Sequence, residues 1–118
     1  MRLPNIFERE HKPVHYAAGD VIFHEGDAPD SMYFVAEGSV ELTAAGRMLA
    51  AVEKDGIFGE MALIDAEPRS ATATALTDCA LHAIDQKQFT FMVQETPFFA
   101  IEVMRVMSAR LRKGNERG

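Results

Sequence analysis

The residues with the clearest chemical potential lie in one short segment of the chain, between Gly59 and Arg69. Gly59 lets the backbone pass close to another group, and it opens a predicted single helical turn over Glu60–Leu63. The start of a helix offers free backbone N–H groups that point in one direction, and such groups attract anions. The segment therefore predicts an anion site.

Arg69 supplies the second half of this predicted site. It comes just before a run of small residues, 70–75, whose side chains leave room for a ligand. A guanidinium that enters such a cavity needs an anion, because a buried unpaired charge is very costly. Free N–H groups and one arginine together suit a phosphate, which arginine can hold through two hydrogen bonds.

Glu60 has a different role, because a hydrogen-bond acceptor beside an anion cannot bind that anion. It must meet a donor, which is either a sugar hydroxyl or the guanidinium of Arg69. The spacing alone leaves two interpretations open. One is a ligand site, and the other is a structural Glu60–Arg69 ion pair that binds nothing.

Short β-type runs and two later helices must position this segment. The predicted runs are 21–24, 32–36, 40–43, 48–52, 70–75 and 79–84, separated by glycine-containing turns. Their spacing is typical of a sandwich, barrel or roll. From Asp85 the period becomes helical, with Asp85 and Gln88 as a capping box. Thr96 and Pro97 then start a final helix that ends at about Arg112.

The predicted fold is therefore mainly β. It is an eight-stranded antiparallel roll of the jelly-roll type over about residues 14–84, with a short N-terminal helix, a helical turn inside the roll and two helices over about 85–112. We expect one domain over residues 1–118, since this length is enough for a single core.

Composition excludes several classes of protein. The formal net charge of −6 argues against nucleic acid as a partner of this domain, because phosphate contacts need a basic surface. One cysteine, Cys79, cannot form an intramolecular disulfide or a cysteine-built metal site. The chain has no apolar run long enough to span a membrane and no signal peptide, so a cytoplasmic location without membrane attachment is expected.

The segments 58–63 and 68–72 closely resemble the phosphate-binding cassette of cyclic nucleotide-binding domains. This family includes the sensor domains of catabolite activator proteins, protein kinase A regulatory subunits and cyclic nucleotide-gated channels. The upstream runs 18–27, 32–35 and 38–40 are similar to the family's roll. The resemblance extends over about residues 16–112 and implies a sensor that binds a cyclic nucleotide.

The resemblance also implies a role for each site residue. Gly59 and the backbone of Met61 and Ala62 would hold the cyclic phosphate, and Arg69 would bind its exocyclic oxygens. Glu60 would accept a hydrogen bond from the ribose 2′-hydroxyl. Ser70 would add a hydroxyl and an N–H group, with Ala71 completing the set. An Arg-Ser pair looks like that of bacterial cAMP binders, so cAMP is the expected ligand, with cGMP as the alternative.

The final helix resembles the family's hinged lid, which folds over the base. An ungapped count places Arg110 at the position that caps the purine in channel-type members, with Arg105 and Ser108 as rivals. A solvated charge near the helix end is the other interpretation of Arg110. The stripe of Ile101, Met104 and Leu111 predicts packing or a homodimer seam.

Two rival functions are weighed against this prediction. A cupin-like metal enzyme is not expected, because the four histidines (His11, His15, His24 and His82) lack the tight cluster that a metal site needs. No nucleophile–base pair is evident either, so neither an enzyme nor a cofactor is predicted. The more serious alternative is a degenerate roll that acts only as a dimerisation or docking scaffold. If Met1 and Gly118 are natural ends, a stand-alone sensor whose output is a protein contact is expected; if the chain was trimmed, the output domain was removed.

Overall fold

Eight antiparallel strands in two sheets form the body of the computed structural model, which describes residues 3–117. The strands are β1 (Val14–Tyr16), β2 (Val21–Phe23), β3 (Met32–Glu37), β4 (Val40–Ala44), β5 (Arg47–Val52), β6 (Ile57–Phe58), β7 (Thr72–Ala75) and β8 (Cys79–Ile84). One sheet has the order β1-β8-β3-β6, and the other has the order β2-β7-β4-β5. The predicted mainly-β fold is confirmed, and β1 and β6 are the strands that no predicted run covered.

The helices flank the roll as expected. They are α1 (Asn5–Glu10), α2 (Gln86–Glu95) and α3 (Phe98–Arg117), and a single 3₁₀ turn at Glu60–Leu63, called here the cassette helix, lies inside the roll. The predicted capping box of α2 is present. The Gln88 N–H donates to the Asp85 carboxylate over 2.8 Å, and the Asp85 N–H donates to Gln88 Oε1 over 2.9 Å. These bonds fix the point at which the chain leaves β8.

The prediction for the last helix was wrong at its end. We expected a helix from Pro97 to about Arg112, whereas α3 begins at Phe98 and continues to Arg117. Pro97 lies in the turn before it, and the Pro97 carbonyl accepts the N–H of Ala100 over 3.1 Å. The apolar stripe ends at Leu111, and a polar continuation of a helix leaves no hydrophobic period to detect.

Two hydrophobic clusters lie on opposite faces of the first sheet. The outer cluster joins α1, the sheet, α2 and α3, and it includes Phe7, Phe34 and Phe99. The inner cluster lies between the two sheets and includes Val35, Phe58 and Leu81. Consecutive residues of a strand point to opposite faces, so β3 contributes Phe34 to one cluster and Val35 to the other. The first sheet is thus buried on both faces.

The chain between β6 and β7 crosses from one sheet to the other. β6 pairs with β3 in the first sheet through Ile57 and Phe34, and β7 pairs with β4 in the second through Ala73 and Leu42. The crossing segment, 59–71, is therefore held at both ends by strand register, which is strongly specified where strands are buried. Every site residue predicted within the roll lies on this segment.

None of the helices in the described part of the chain is both long and apolar enough to cross a membrane.

Candidate functional site

A cavity of about 520 Å³ opens beside the cassette helix. Its lining includes the predicted site residues Gly59, Glu60, Met61, Ala62, Arg69, Ser70, Ala71 and Arg110, together with Phe23, Pro29, Leu42, Leu49, Ala50, Asp65, Glu67 and Pro68. This volume is in the range of small-molecule sites, which usually combine apolar walls with a few polar groups. The structure therefore brings together all the residues that the sequence nominated.

Gly59 is required at its position for two reasons. Its backbone is left-handed, with φ 73° and ψ 17°, a conformation that side chains with a Cβ rarely adopt. A Cβ atom placed there would also lie 2.7 Å from Arg69 Nη1. The sequence predicted that the backbone at Gly59 passes close to another group, and that group is the guanidinium of Arg69.

Arg69 is buried, with 7% of its surface exposed, and its guanidinium is held on several sides. Nη1 donates to the Gly59 carbonyl over 3.2 Å, and Nη2 donates to the Ser31 carbonyl over 2.6 Å. Nη2 also lies 3.3 Å from the carboxylate of Asp30, which is largely exposed. The guanidinium carbon lies 4.0 Å from the centre of the Phe23 ring, a cation–π distance.

The backbone of Arg69 is fixed as well. Its N–H donates to the Asp27 carbonyl over 2.8 Å, and its carbonyl accepts the N–H of Gly26 over 2.7 Å. The turn that follows β2 therefore holds the main chain of Arg69 while the turn that precedes the cassette helix holds its side chain. The position of the charge does not depend on a ligand.

Several hydrogen-bond donors beside Gly59 have no protein acceptor among the described residues. The Nε–H of Arg69 is buried without a partner. The N–H groups of Glu60 and Met61 form no backbone hydrogen bond, as expected for the start of a helix, whereas Ala62 donates to the Gly59 carbonyl over 3.2 Å. Buried donors are costly when unpaired, so this grouping favours an acceptor from outside the protein.

Glu60 is the most deeply buried acid of the site, with 4% of its surface exposed, and its partner is Arg110. Arg110 Nη1 donates to Glu60 Oε1, and Arg110 Nη2 donates to the carbonyl of Ile57. The structural Glu60–Arg69 ion pair that the spacing left open is not formed. The last helix instead reaches fifty residues back along the chain to neutralise this carboxylate.

The two rivals of Arg110 on α3 point to other groups. The guanidinium of Arg105 lies 5.2 Å from the centre of the Phe98 ring, and the Ser108 hydroxyl accepts a hydrogen bond from Arg112 over 3.2 Å. Neither residue lines the cavity. Of the three candidates, Arg110 is the one that the fold places at the site.

Sequence reasoning missed the residues that hold Arg69 from outside the segment, namely Phe23, Asp30 and Ser31. They lie 38 to 46 residues before Arg69 and belong to β2 and to the entry of β3. No sequence motif links these three residues to Arg69. An aspartate in a polar stretch looks like an ordinary turn residue until the register of the sheets brings it to the guanidinium.

One of the groups with a shifted pKa, His82, packs against α1 outside the cavity. His82 on β8 is buried, with 7% of its surface exposed. Burial, and to a lesser degree the nearby His11, lowers the pKa of His82 below its ordinary value of 6.5, while Glu8 acts in the opposite direction. The imidazole contacts the Phe7 ring edge to face at 5.5 Å. This group belongs to the docking of α1 and not to the site.

Comparison with known proteins gives a consistent result. The family model described as "Cyclic nucleotide-binding domain" matches residues 13–96. The cyclic AMP receptor protein of Thermus thermophilus is 34% identical over 105 residues, which cover 85% of this chain and 49% of the receptor. The chain thus spans about half the length of that relative.

Solved structures agree with the sequence comparisons. The catabolite activator protein of Thermus thermophilus gives a TM-score of 0.79 at 33% identity, covering 88% of this chain and 51% of that one. An EAL enzyme, Bd1971, in its cAMP-bound form gives a TM-score of 0.64 at 35% identity, covering 86% of this chain and 28% of that one. The cGMP-bound form of the same enzyme gives 0.63 at 35% identity, with 88% and 29% covered.

Proposed function

This chain belongs to the family of cyclic nucleotide-binding domains, and from that premise we propose that it binds a cyclic purine nucleotide, with cAMP preferred, as a single sensing unit. The site residues are the set predicted from the sequence. In this proposal the ligand binds in the cavity beside the cassette helix, and its occupancy is reported through α3.

One observation carries the proposal, namely the group of unpaired donors at the guanidinium of Arg69. Three of its five N–H donors bond the Gly59 carbonyl, the Ser31 carbonyl and Asp30, which leaves Nε–H and one hydrogen of Nη1. The free N–H groups of Glu60 and Met61 lie beside this guanidinium, at the start of the cassette helix. Together they suit the two exocyclic oxygens of a phosphodiester, which accept hydrogen bonds and carry one negative charge.

The ribose is assigned to Glu60. Arg110 uses Oε1 of the carboxylate, so Oε2 remains to accept a hydrogen bond from the 2′-hydroxyl. One buried carboxylate would then touch the sugar on one side and α3 on the other. This shared contact gives a route from ligand to helix.

Closure is proposed for the second half of α3. The first half is already anchored, since Phe99 and Val103 are buried in the outer cluster. Farther along, beyond the partly buried Val106 and Met107 that pack against the same cluster, Arg110 holds the helix to the roll through Glu60 and the Ile57 carbonyl. In this proposal the helix has two states, one held to the roll and one released. A ligand that contacts the same carboxylate binds these two states with different affinity, and it therefore shifts the equilibrium between them.

The base preference rests on similarity and on the wall of the cavity. The Thermus receptor is named for cyclic AMP, and the EAL enzyme has structures with cAMP and with cGMP. Part of the cavity wall in this chain is apolar, with Leu42, Leu49 and Ala50, and in this proposal the base packs against it. An apolar wall offers no hydrogen bonds to the extra polar groups of guanine, which supports cAMP as the preferred ligand.

A homodimer through α3 is proposed as the output surface. Ile101, Met104, Ser108 and Leu111 repeat at the three-and-four spacing of a coiled-coil seam, and the three apolar members are exposed. The opposite face of the helix is buried in the outer cluster. Light scattering across a concentration series is expected to give a dimer that Met104→Glu disrupts, whereas a monomer at every concentration would remove this proposal.

Calorimetric titration of the chain with cAMP and then with cGMP tests the main proposal. We expect saturable binding of both nucleotides, with the tighter affinity for cAMP. A regulatory role without catalysis also predicts that cAMP is recovered unchanged after prolonged incubation. No heat with either nucleotide at high micromolar protein would favour the scaffold alternative, in which Glu60 and Arg69 are satisfied by Arg110 and Asp30 alone.

A further inference from the structure

The charged side chains around the cavity include more acidic than basic residues. Two arginines, Arg69 and Arg110, face the carboxylates of Glu60, Asp30, Asp65 and Glu67. Each arginine already has one carboxylate partner. Asp65 and Glu67 form no ion pair among the described side chains, so they remain as uncompensated negative charge at the rim.

Asp65 and Glu67 are held at this rim by the loop that follows the cassette helix. The Glu67 N–H donates to the Asp65 carboxylate over 3.1 Å, and Asp65 N–H donates to the Met61 carbonyl over 3.1 Å. Both side chains are exposed, yet both line the cavity that contains Arg69. Their charges therefore act on an anion that binds in this cavity.

Resting on the proposed function, we infer that Asp65 and Glu67 select for the charge of the ligand and disfavour nucleotides with more than one negative charge on the phosphate. A cyclic phosphodiester carries one negative charge. A phosphomonoester carries about 1.5 to 2 at pH 7, because its second pKa is near 6. Attraction by Arg69 and repulsion by the two rim carboxylates both grow with the charge of the ligand, so the rim opposes the extra attraction that a dianion gains at Arg69.

The size of the effect follows from the exposure of these carboxylates. Coulomb repulsion at a solvent-exposed rim is weakened by water and by salt. Neutralising both carboxylates is expected to improve binding about threefold per unit of ligand charge, hence about threefold for a monoanion and about tenfold for a dianion. The rim thus adjusts selectivity, while Arg69 supplies the affinity.

The test compares three adenosine ligands in competition with a fluorescent cAMP analogue. They are cAMP, 5′-AMP and the methyl ester of 5′-AMP, which has an open phosphate but one negative charge. In the wild-type chain at low salt and pH 8, the ratio of the dissociation constant of 5′-AMP to that of the methyl ester defines the gap between the two linear ligands. The double variant Asp65→Asn with Glu67→Gln should narrow that gap about threefold.

A matched control separates local charge from net charge. The double variant Glu53→Gln with Glu95→Gln removes two exposed carboxylates that do not line the cavity, and it should leave the gap between the two linear ligands unchanged. Raising the salt concentration should narrow the gap in the wild type and in this control, and much less in the rim variant.

The possible failures are distinguishable. If the wild-type chain does not bind cAMP, the proposed function fails. If it binds cAMP but the rim variant leaves the gap between the linear ligands unchanged, or the control narrows it equally, the charge filter is wrong. If neither linear ligand competes with the analogue in any variant, ring closure and not charge excludes them, and the inference is overturned.

Discussion

The cassette and the last helix both deliver an arginine to the same cavity, but they hold it in different ways. Arg69 is fixed through its main chain by the 26–27 turn and through its side chain by the Gly59 and Ser31 carbonyls. Arg110 reaches the cavity from a helix whose nearest apolar anchors, the partly buried Val106 and Met107, pack against the outer cluster about one turn earlier. Arg69 thus belongs to the roll itself, whereas Arg110 is carried by a helix that packs against the roll.

This difference separates affinity from response. A group that is held in place before the ligand arrives costs little to organise, so it can contribute its full attraction to binding. A group whose few contacts lie at the ligand site can change its position when the ligand binds, so it can report occupancy. We therefore expect substitutions in the cassette to change affinity most, and substitutions on α3 to change the helix more than the affinity.

The largest effect is expected for Arg69→Ala. Removing one partner of a buried, hydrogen-bonded charge pair costs about 2–5 kcal/mol, so cAMP affinity should fall by a factor of about 30 to several thousand. Calorimetry measures the loss, and circular dichroism checks that the roll is still formed. If the dissociation constant is unchanged, the phosphate is bound elsewhere and the contrast between the two regions disappears.

A smaller loss is expected for Glu60→Gln, which keeps the shape of the side chain but removes its charge. The weaker acceptor should lower cAMP affinity by about 1–1.5 kcal/mol, the difference between a hydrogen bond to a charged group and one to a neutral group. The matched control is 2′-deoxy-cAMP, which lacks the hydroxyl and should bind both proteins equally. A large drop in melting temperature without ligand would instead give Glu60 a purely structural role.

Arg110→Ala should affect the helix more than the affinity. Its ion pair is partly exposed, so the loss in cAMP affinity is expected to be about 1 kcal/mol or less. Amide hydrogen exchange in the second half of α3 should become faster, and cAMP should no longer slow it. Arg105→Ala on the same helix is the control and should change neither, because Arg105 does not line the cavity. An Arg110→Ala loss as large as that of Arg69→Ala would contradict the division of roles.

The smallest effect is expected outside both regions, at His82. Because the folded state lowers the pKa of His82 by burying it, the unfolded chain takes up the proton first. Stability should therefore be intact above about pH 6.5 and fall as the pH drops through the lower folded-state pKa. Urea unfolding at several pH values should give a weaker acid dependence for His82→Gln, while the exposed His15→Gln keeps the wild-type dependence.

The local features of the site were predictable from the sequence. The cassette helix begins and ends where Gly59 and the following residues predicted, and the Asp85 cap was evident from its spacing. Backbone conformation and capping depend on neighbours within a few residues, so they leave a direct signal in the chain. The overall roll followed from the regular spacing of strands and turns.

The long-range partners were not predictable. Asp30 and Ser31 meet Arg69 only because β3 and the cassette are brought together by the register of two sheets. The pairing of Arg110 with Glu60 depends on how far α3 continues and on its angle to the roll. Such contacts depend on packing, for which residue type and spacing give no direct rule.

The close approach of Gly59 to Arg69 has an evolutionary consequence. A side chain at position 59 would collide with the guanidinium, so the two positions constrain each other as a unit. A descendant that lost the arginine would regain space at 59, where asparagine or aspartate tolerates the left-handed backbone. Drift away from nucleotide sensing should therefore appear in related genes as paired changes at these two sites, with the arginine replaced first.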